Sequence, residues 1–99
     1  MKGLITDLNK AFENRIRLGI MSVLMVNKEV DFKTMKETLD VSDGNLASHT
    51  SALEKQEYIV IEKKFIGKKP NTTYRVTKAG KEAFQNHLAA LETLLKRGK

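Results

Sequence analysis

Cysteine is absent from the 99 residues, tryptophan is absent too, and proline occurs once. Without cysteine there are no disulfides, no thiolate zinc sites and no thiol nucleophile, and sensing through a thiol or a thiolate-bound metal is excluded. The only two histidines, His49 and His87, are a poor basis for a metal centre, and no cofactor is expected. Long apolar runs are also lacking. Charge interrupts each within a few residues, so nothing reads as a membrane span. The opening MKGLITDLNK has no long apolar stretch and no small-residue cleavage site, and so does not read as a signal peptide. A phosphate loop, a readable Ser/His/Asp set and carboxylates clustered in an apolar setting are all missing, which leaves an enzyme without footing. The expectation is a cytoplasmic, non-enzymatic domain.

What is present is 40% hydrophobic residues and a net charge of +6. That is enough for one small core with a thin margin, which oligomerisation would widen. The charge is unevenly spread. Residues 58–81 hold seven cations (Lys63, Lys64, Lys68, Lys69, Arg75, Lys78 and Lys81) against Glu62 alone, whereas residues 32–57 hold three against five acids. A solvated lysine face is the bland explanation of any charge run. Concentration in one 24-residue segment favours a surface facing a polyanion instead.

Ile5, Leu8, Phe12, Ile16, Ile20 and Val23 recur at three- and four-residue steps, the helical period. Asn14 divides this stretch into a short leading helix and a main helix from about 14 to 27. Asp31 suits an N-cap for FKTMKETL, DVSDG reads as a turn, and Ser42 suits the cap of a helix that turns Leu46, Thr50 and Leu53 inward and ends near Glu57. The period then drops to about two. YIVIEKKFIG and TTYRVT read as strands, with GKKPN as the turn of a lysine-tipped hairpin in which Pro70 restrains the loop. Thr77 caps a last helix whose stripe is Phe84, Leu88, Leu91 and Leu95. Met21, Met25 and Met35 suit core filling. Helix, helix, tight turn, helix, basic hairpin, helix is a winged helix-turn-helix order. The fold class expected is α+β, mostly α, with a two-stranded wing and flanking N- and C-terminal dimerisation helices. The chain reads as one domain, with a leading helix at 1–13, a winged-helix core at 14–81 and a C-terminal dimerisation helix at 82–99.

The stretch FKTMKETLDVSDGNLASHTSALEKQEYIVIEKKFIGKKPNTTYRVTKAGKEAF resembles winged-helix transcriptional regulators of the MarR/ArsR-like class. It is most similar to their small stand-alone members, which share an "sDGNLxxHxxxLexxgYI" helix and a "yxlTxaGkxaf" strand-to-helix junction. The likeness runs from about Asn14 to Phe84 and includes Arg17 and Ile20 of an R-x-x-I in the main helix. It departs at Thr50, usually a core leucine, and at Ser48, often basic. The resemblance implies a homodimeric, cytoplasmic protein that binds double-stranded DNA and acts on transcription, commonly as a repressor. It leaves room for a small-molecule effector in the crevice between the dimer helices and the DNA-binding part.

On this reading residues 42–57 enter the major groove. Ser42, Gly44, Asn45, Ser48, His49, Ser51 and Lys55 are the candidates for contact. Gly44 lets the backbone approach, and Asn45, Ser48 and Ser51 can bond to bases or phosphates. The helix N-terminus offers free amides to a phosphate. His49 has two readings, a DNA contact or a partly buried histidine bonded to a backbone carbonyl; His87 reads as structural or merely exposed. In the wing, at 62–75, Lys63, Lys64, Lys68, Lys69 and Arg75 can reach phosphates, with Thr72 and Thr73 adding hydroxyls. The dimer interface is expected at Leu4, Ile5, Leu8 and Phe12 with Phe84, Leu88, Leu91 and Leu95. The competing reading is a winged helix used for protein interaction, or a non-specific architectural binder of nucleic acid.

Overall fold

A computed structural model describes residues 5–97. A 3-10 turn at Lys10–Phe12 is followed by α1 (Arg15–Val26), β1 (Val30–Asp31), α2 (Phe32–Leu39), α3 (Asp43–Lys55), β2 (Ile59–Ile66), β3 (Lys69–Val76) and α4 (Lys78–Arg97). Each helix begins where a short polar side chain can satisfy amides that lack an intrahelical partner. Asn14 Oδ1 accepts from the amides of Ile16 and Arg17, at 2.9 and 3.1 Å. Asp31 accepts from Thr34 N at 2.7 Å, and that bond holds its carboxyl below the usual range. Ser42 Oγ accepts from Asn45 N at 3.1 Å. Thr77 Oγ1 accepts from Gly80 N at 2.9 Å and donates to the Glu57 carbonyl at 2.7 Å.

The end of α3 is closed by a paired motif. Tyr58 N donates to Leu53 O at 3.1 Å and Glu57 N to Glu54 O at 2.8 Å, the two bonds of a Schellman cap. The residue that must turn left-handed to allow this is Glu57, with φ +63°. Close by, a Cβ at Gly80 would overlap the Tyr58 carbonyl oxygen. Only glycine lets α4 start so near the α3–β2 connection.

The sheet has the order β1-β3-β2 and is antiparallel throughout. β1 is a strand that the sequence pattern did not disclose. It pairs only Val30 and Asp31 with Tyr74 and Thr73. The hairpin turn is tighter than expected: Gly67 and Lys68 alone join Ile66 to Lys69. Gly67 has φ +64°, as the first central residue of a two-residue hairpin turn demands. Lys69, Pro70 and Asn71 therefore belong to β3. Pro70 is tolerated there because it stands opposite Phe65, one pair beyond the turn. At that non-hydrogen-bonded pair the missing N–H would point away from β2.

Ile20, Met21 and Leu24 of α1, Met35 of α2, Leu46 and Leu53 of α3, Ile59 and Tyr74 of the sheet, Phe12 and Phe84 form one core. Fully burying each large apolar side chain contributes about 1.5–3 kcal/mol. Thr50, the unusual residue beneath α3, is buried among them, and its hydroxyl donates to Leu46 O at 2.8 Å. Burial pushes the neighbouring Tyr74 phenol up, and the Thr50 hydroxyl opposes that push. A threonine fits where the resembled family usually has leucine because its hydroxyl donates back to carbonyls of its own helix, Leu46 O and Ala47 O.

Several expectations need correction. Of the leading helix at 1–13, the described residues contain only the 3-10 turn, since Asn9 leaves helical geometry at φ −92°, ψ 119° and caps that turn instead. The last helix starts at Lys78, directly after Thr77, the cap expected for it. Phe12 and Phe84 are not free for a partner subunit. They meet edge-on within the protomer, with centroids 5.2 Å apart, and are 2% and 3% exposed. Leu4 lies outside the described residues.

Candidate nucleic-acid interface

With Leu46, Thr50 and Leu53 turned inward, Gly44, Ser48, Ser51 and Lys55 form an exposed stripe on the opposite side of α3, with Asn45 and Ala47 exposed beside it. These spacings of three and four residues follow one helix face. Nothing lies within 4 Å of the place a Gly44 Cβ would occupy, so the backbone there is open to close approach. Ser42 is exposed, but its oxygen is engaged in the cap. Asp43, the one acid of the first turn, pairs with Lys36 of α2 at 2.6 Å. The pair is solvent-exposed and adds little stability. Its consequence is electrostatic, because it offsets a negative charge at the amino end of α3.

His49 is half-buried, and its partner is not a backbone carbonyl. Arg17 Nε of α1 donates to His49 Nδ1 at 3.0 Å. The imidazole is thereby neutral, with its proton on Nε2. Burial first, and then the adjacent Arg17 guanidinium, lower its pKa from the ordinary histidine value. Residues 17 and 49 are 32 apart, and periodicity gives no signal for such a bond. His87 is structural: it is buried, and its Nδ1 accepts from the Asn9 backbone amide at 3.0 Å. Asn9 Nδ2 in turn donates to the Tyr58 hydroxyl at 3.0 Å, which ties the amino-terminal segment to α4 and to the end of α3.

In the wing, Lys63, Lys64, Lys68 and Lys69 are exposed and fall within the turn and the four residue pairs nearest it. Thr72, opposite Lys63, is half-buried. Lys63 and Lys64 point to opposite faces of the hairpin. Lys64 lies 3.5 Å from Glu62. Two other residues do not join this group. Thr73 is buried, and its hydroxyl has no hydrogen-bond partner among the described residues, so it is no phosphate donor. Arg75 is exposed at the root of the hairpin, paired with Val60, and lines a cleft with Lys28 and Lys81. It stands roughly 20 Å along the strand from Lys69.

The α4 stripe divides. Phe84, His87 and Ala90 face the protomer, while Leu88, Leu91 and Leu95 are 44%, 45% and 73% exposed. Leu88 and Leu91 join Leu18 and Met25 of α1 around a cleft of about 380 Å³ floored by Phe84 and His87. Ile5 is exposed and Leu8 half-buried.

Residues 16–95 match the family described as the winged helix DNA-binding domain. The chain belongs to that family. An uncharacterised protein of Methanocaldococcus jannaschii is 30% identical over 87 residues, covering 88% of this chain and 95% of that one. The solved transcriptional regulator homologue from Pyrococcus horikoshii OT3 is also 30% identical and superposes with a TM-score of 0.84, over 97% of this chain and 96% of its own. A second solved structure, of the transcriptional regulator PA4135, has a TM-score of 0.71 at 10% identity, over 97% of this chain and 73% of its own, and shows the fold alone. This winged helix DNA-binding domain thus has the fold of transcriptional regulators, with the resemblance legible in the sequence borne out at that level. Among its described residues no helix is long and apolar enough to cross a membrane.

Proposed function

We propose that the protein is a homodimeric, cytoplasmic transcriptional regulator of the MarR/ArsR-like class that binds a pseudo-palindromic duplex site. In this reading α3 of each subunit enters the major groove and the wing tracks the backbone and minor groove. The two helices lie about one helical turn of DNA apart. Repression follows from occluding a promoter.

The observation that carries the reading is the pairing of two unlike surfaces. One is the exposed stripe of small polar residues on α3, Gly44, Asn45, Ser48 and Ser51, suited to short-range contact with base edges. The other is the four-lysine wing tip, suited to long-range attraction. Dimerisation is supported by the exposed leucines of α4 and the apolar cleft beside them, for which a second copy is the natural cover. An apolar small-molecule effector would sit in the same cleft, between α1 and α4. Selection of bound duplexes from a random pool tests the proposal. The expected result is an enriched motif with two symmetric half-sites; enrichment no better than random duplex at physiological salt would establish architectural binding instead.

A further inference from the structure

The wing tip carries two large apolar side chains that phosphate binding does not explain. Phe65 is 72% exposed and Ile66 is 64% exposed, immediately before the Gly67–Lys68 turn. Phe65 stands across from Pro70, and Ile66 across from Lys69. Phe65 and Pro70 share one face of the hairpin with Lys63, while Ile66 and Lys69 share the other with Lys64. Apolar side chains on a hairpin end, with lysines on both faces, are badly placed for water and well placed for one kind of surface. The minor groove of a duplex is a slot roughly 6 Å wide between two phosphate walls, and the apolar base faces stacked beneath its floor are reached by a side chain that inserts between two steps. A partner with an apolar pocket but no dense negative charge would leave Lys63, Lys64, Lys68 and Lys69 without a role.

We infer that Phe65 is a minor-groove wedge: it presses into a base step beneath the wing, partly unstacks that step and bends the duplex away from the protein. This rests on the DNA-binding reading above and deepens it. Pro70 stiffens the strand behind the ring, because its φ is fixed. Ile66, on the other face, lies against the sugars. The lysines on the two faces hold the walls of the groove. Inserted apolar side chains kink DNA by on the order of 20–90°, and pyrimidine–purine steps unstack most easily. Phe65 therefore selects sequence with no hydrogen bond to a base, by favouring TA or CA/TG at the position it meets.

The experiment uses the whole protein and its pool-selected duplex, with 2-aminopurine placed in turn at each step under the wing and a fluorophore pair at the duplex ends. Wild type is expected to raise 2-aminopurine fluorescence at one step and to shorten the end-to-end distance. Phe65→Ala folds normally because the side chain is exposed. It keeps the salt dependence of binding, binds roughly tenfold more weakly, and loses both optical signals along with the step preference. Phe65→Leu, still apolar and large, restores them in part. Wild type that binds tightly but leaves the duplex stacked and straight overturns the wedge, as does Phe65→Ala with undiminished signals. Wild type that binds no duplex at any salt concentration removes the DNA-binding reading itself, a result distinct from the other two.

Discussion

Glu57 holds a left-handed backbone at the end of α3, a conformation that costs a residue with a Cβ about 1–2 kcal/mol. The Schellman bonds at that position maintain it. Glycine would adopt the same geometry without strain but would lose more entropy on folding. Glu57→Gly should therefore raise stability by about 0.5–1 kcal/mol, read as a higher denaturant midpoint with an unchanged slope. Gly80 is the opposite case. Its missing Cβ is what lets the Tyr58 carbonyl approach, so Gly80→Ala should destabilise by about 1–3 kcal/mol or more in the same measurement. His49 predicts a dependence on pH. Its pKa is lower in the folded protein than in the unfolded chain, so the unfolded chain binds more protons between the two values. The stability from the Arg17–His49 bond is fully present above the unfolded histidine pKa of about 6.5 and is lost as pH falls through the folded value. Thermal midpoints of wild type should drop faster from neutral pH to pH 5 than those of His49→Gln, which does not titrate.

At the scale of elements, substitution should separate the two roles proposed for α3 and the wing. Lys68→Ala with Lys69→Ala should weaken binding to all duplexes alike and flatten the salt dependence by about one unit of slope for each phosphate left unneutralised. Asn45→Ala should instead change which sequence is enriched in pool selection. A salt slope that survives the double lysine change would refute the wing's role. What sequence revealed about these elements follows from how local their causes are. Each helix start was legible because one side chain caps amides two or three residues on, as Asn14, Asp31, Ser42 and Thr77 do. Strand β1 was not legible: two residues have no period, and what makes them a strand is pairing with Tyr74 and Thr73 far along the chain. The Arg17–His49 bond escaped for the same reason. The apolar stripes of the first and last segments were found, but a stripe does not say what covers it. Phe12 and Phe84 face each other inside the protomer, while Leu88, Leu91 and Leu95 do not face the core.

At the scale of the whole molecule, those exposed leucines carry the prediction on assembly. Leu88→Glu with Leu91→Glu should leave the protomer folded, since both sites are near half-exposed, and should convert dimer to monomer in sedimentation at micromolar concentration. Affinity for a two-half-site duplex should fall steeply at the same time, because one subunit then binds without its tethered neighbour. Wild type that sediments only as monomer would end the dimer proposal.

The stitch at Thr77 has a mechanical consequence. Its hydroxyl binds Glu57 O and the Gly80 amide, and its own amide donates to Tyr58 O at 3.0 Å, clamping both roots of the hairpin to one point. β1 braces β3 only at Thr73 and Tyr74. From Lys63 to Thr72 the hairpin is then a cantilever, fixed at the base and carrying no part of the core. Residues on such a beam can be exchanged with little effect on whether the protein folds. Under the proposed function, the tip can thus be retuned for a different stretch of DNA while the anchored body is left as it is.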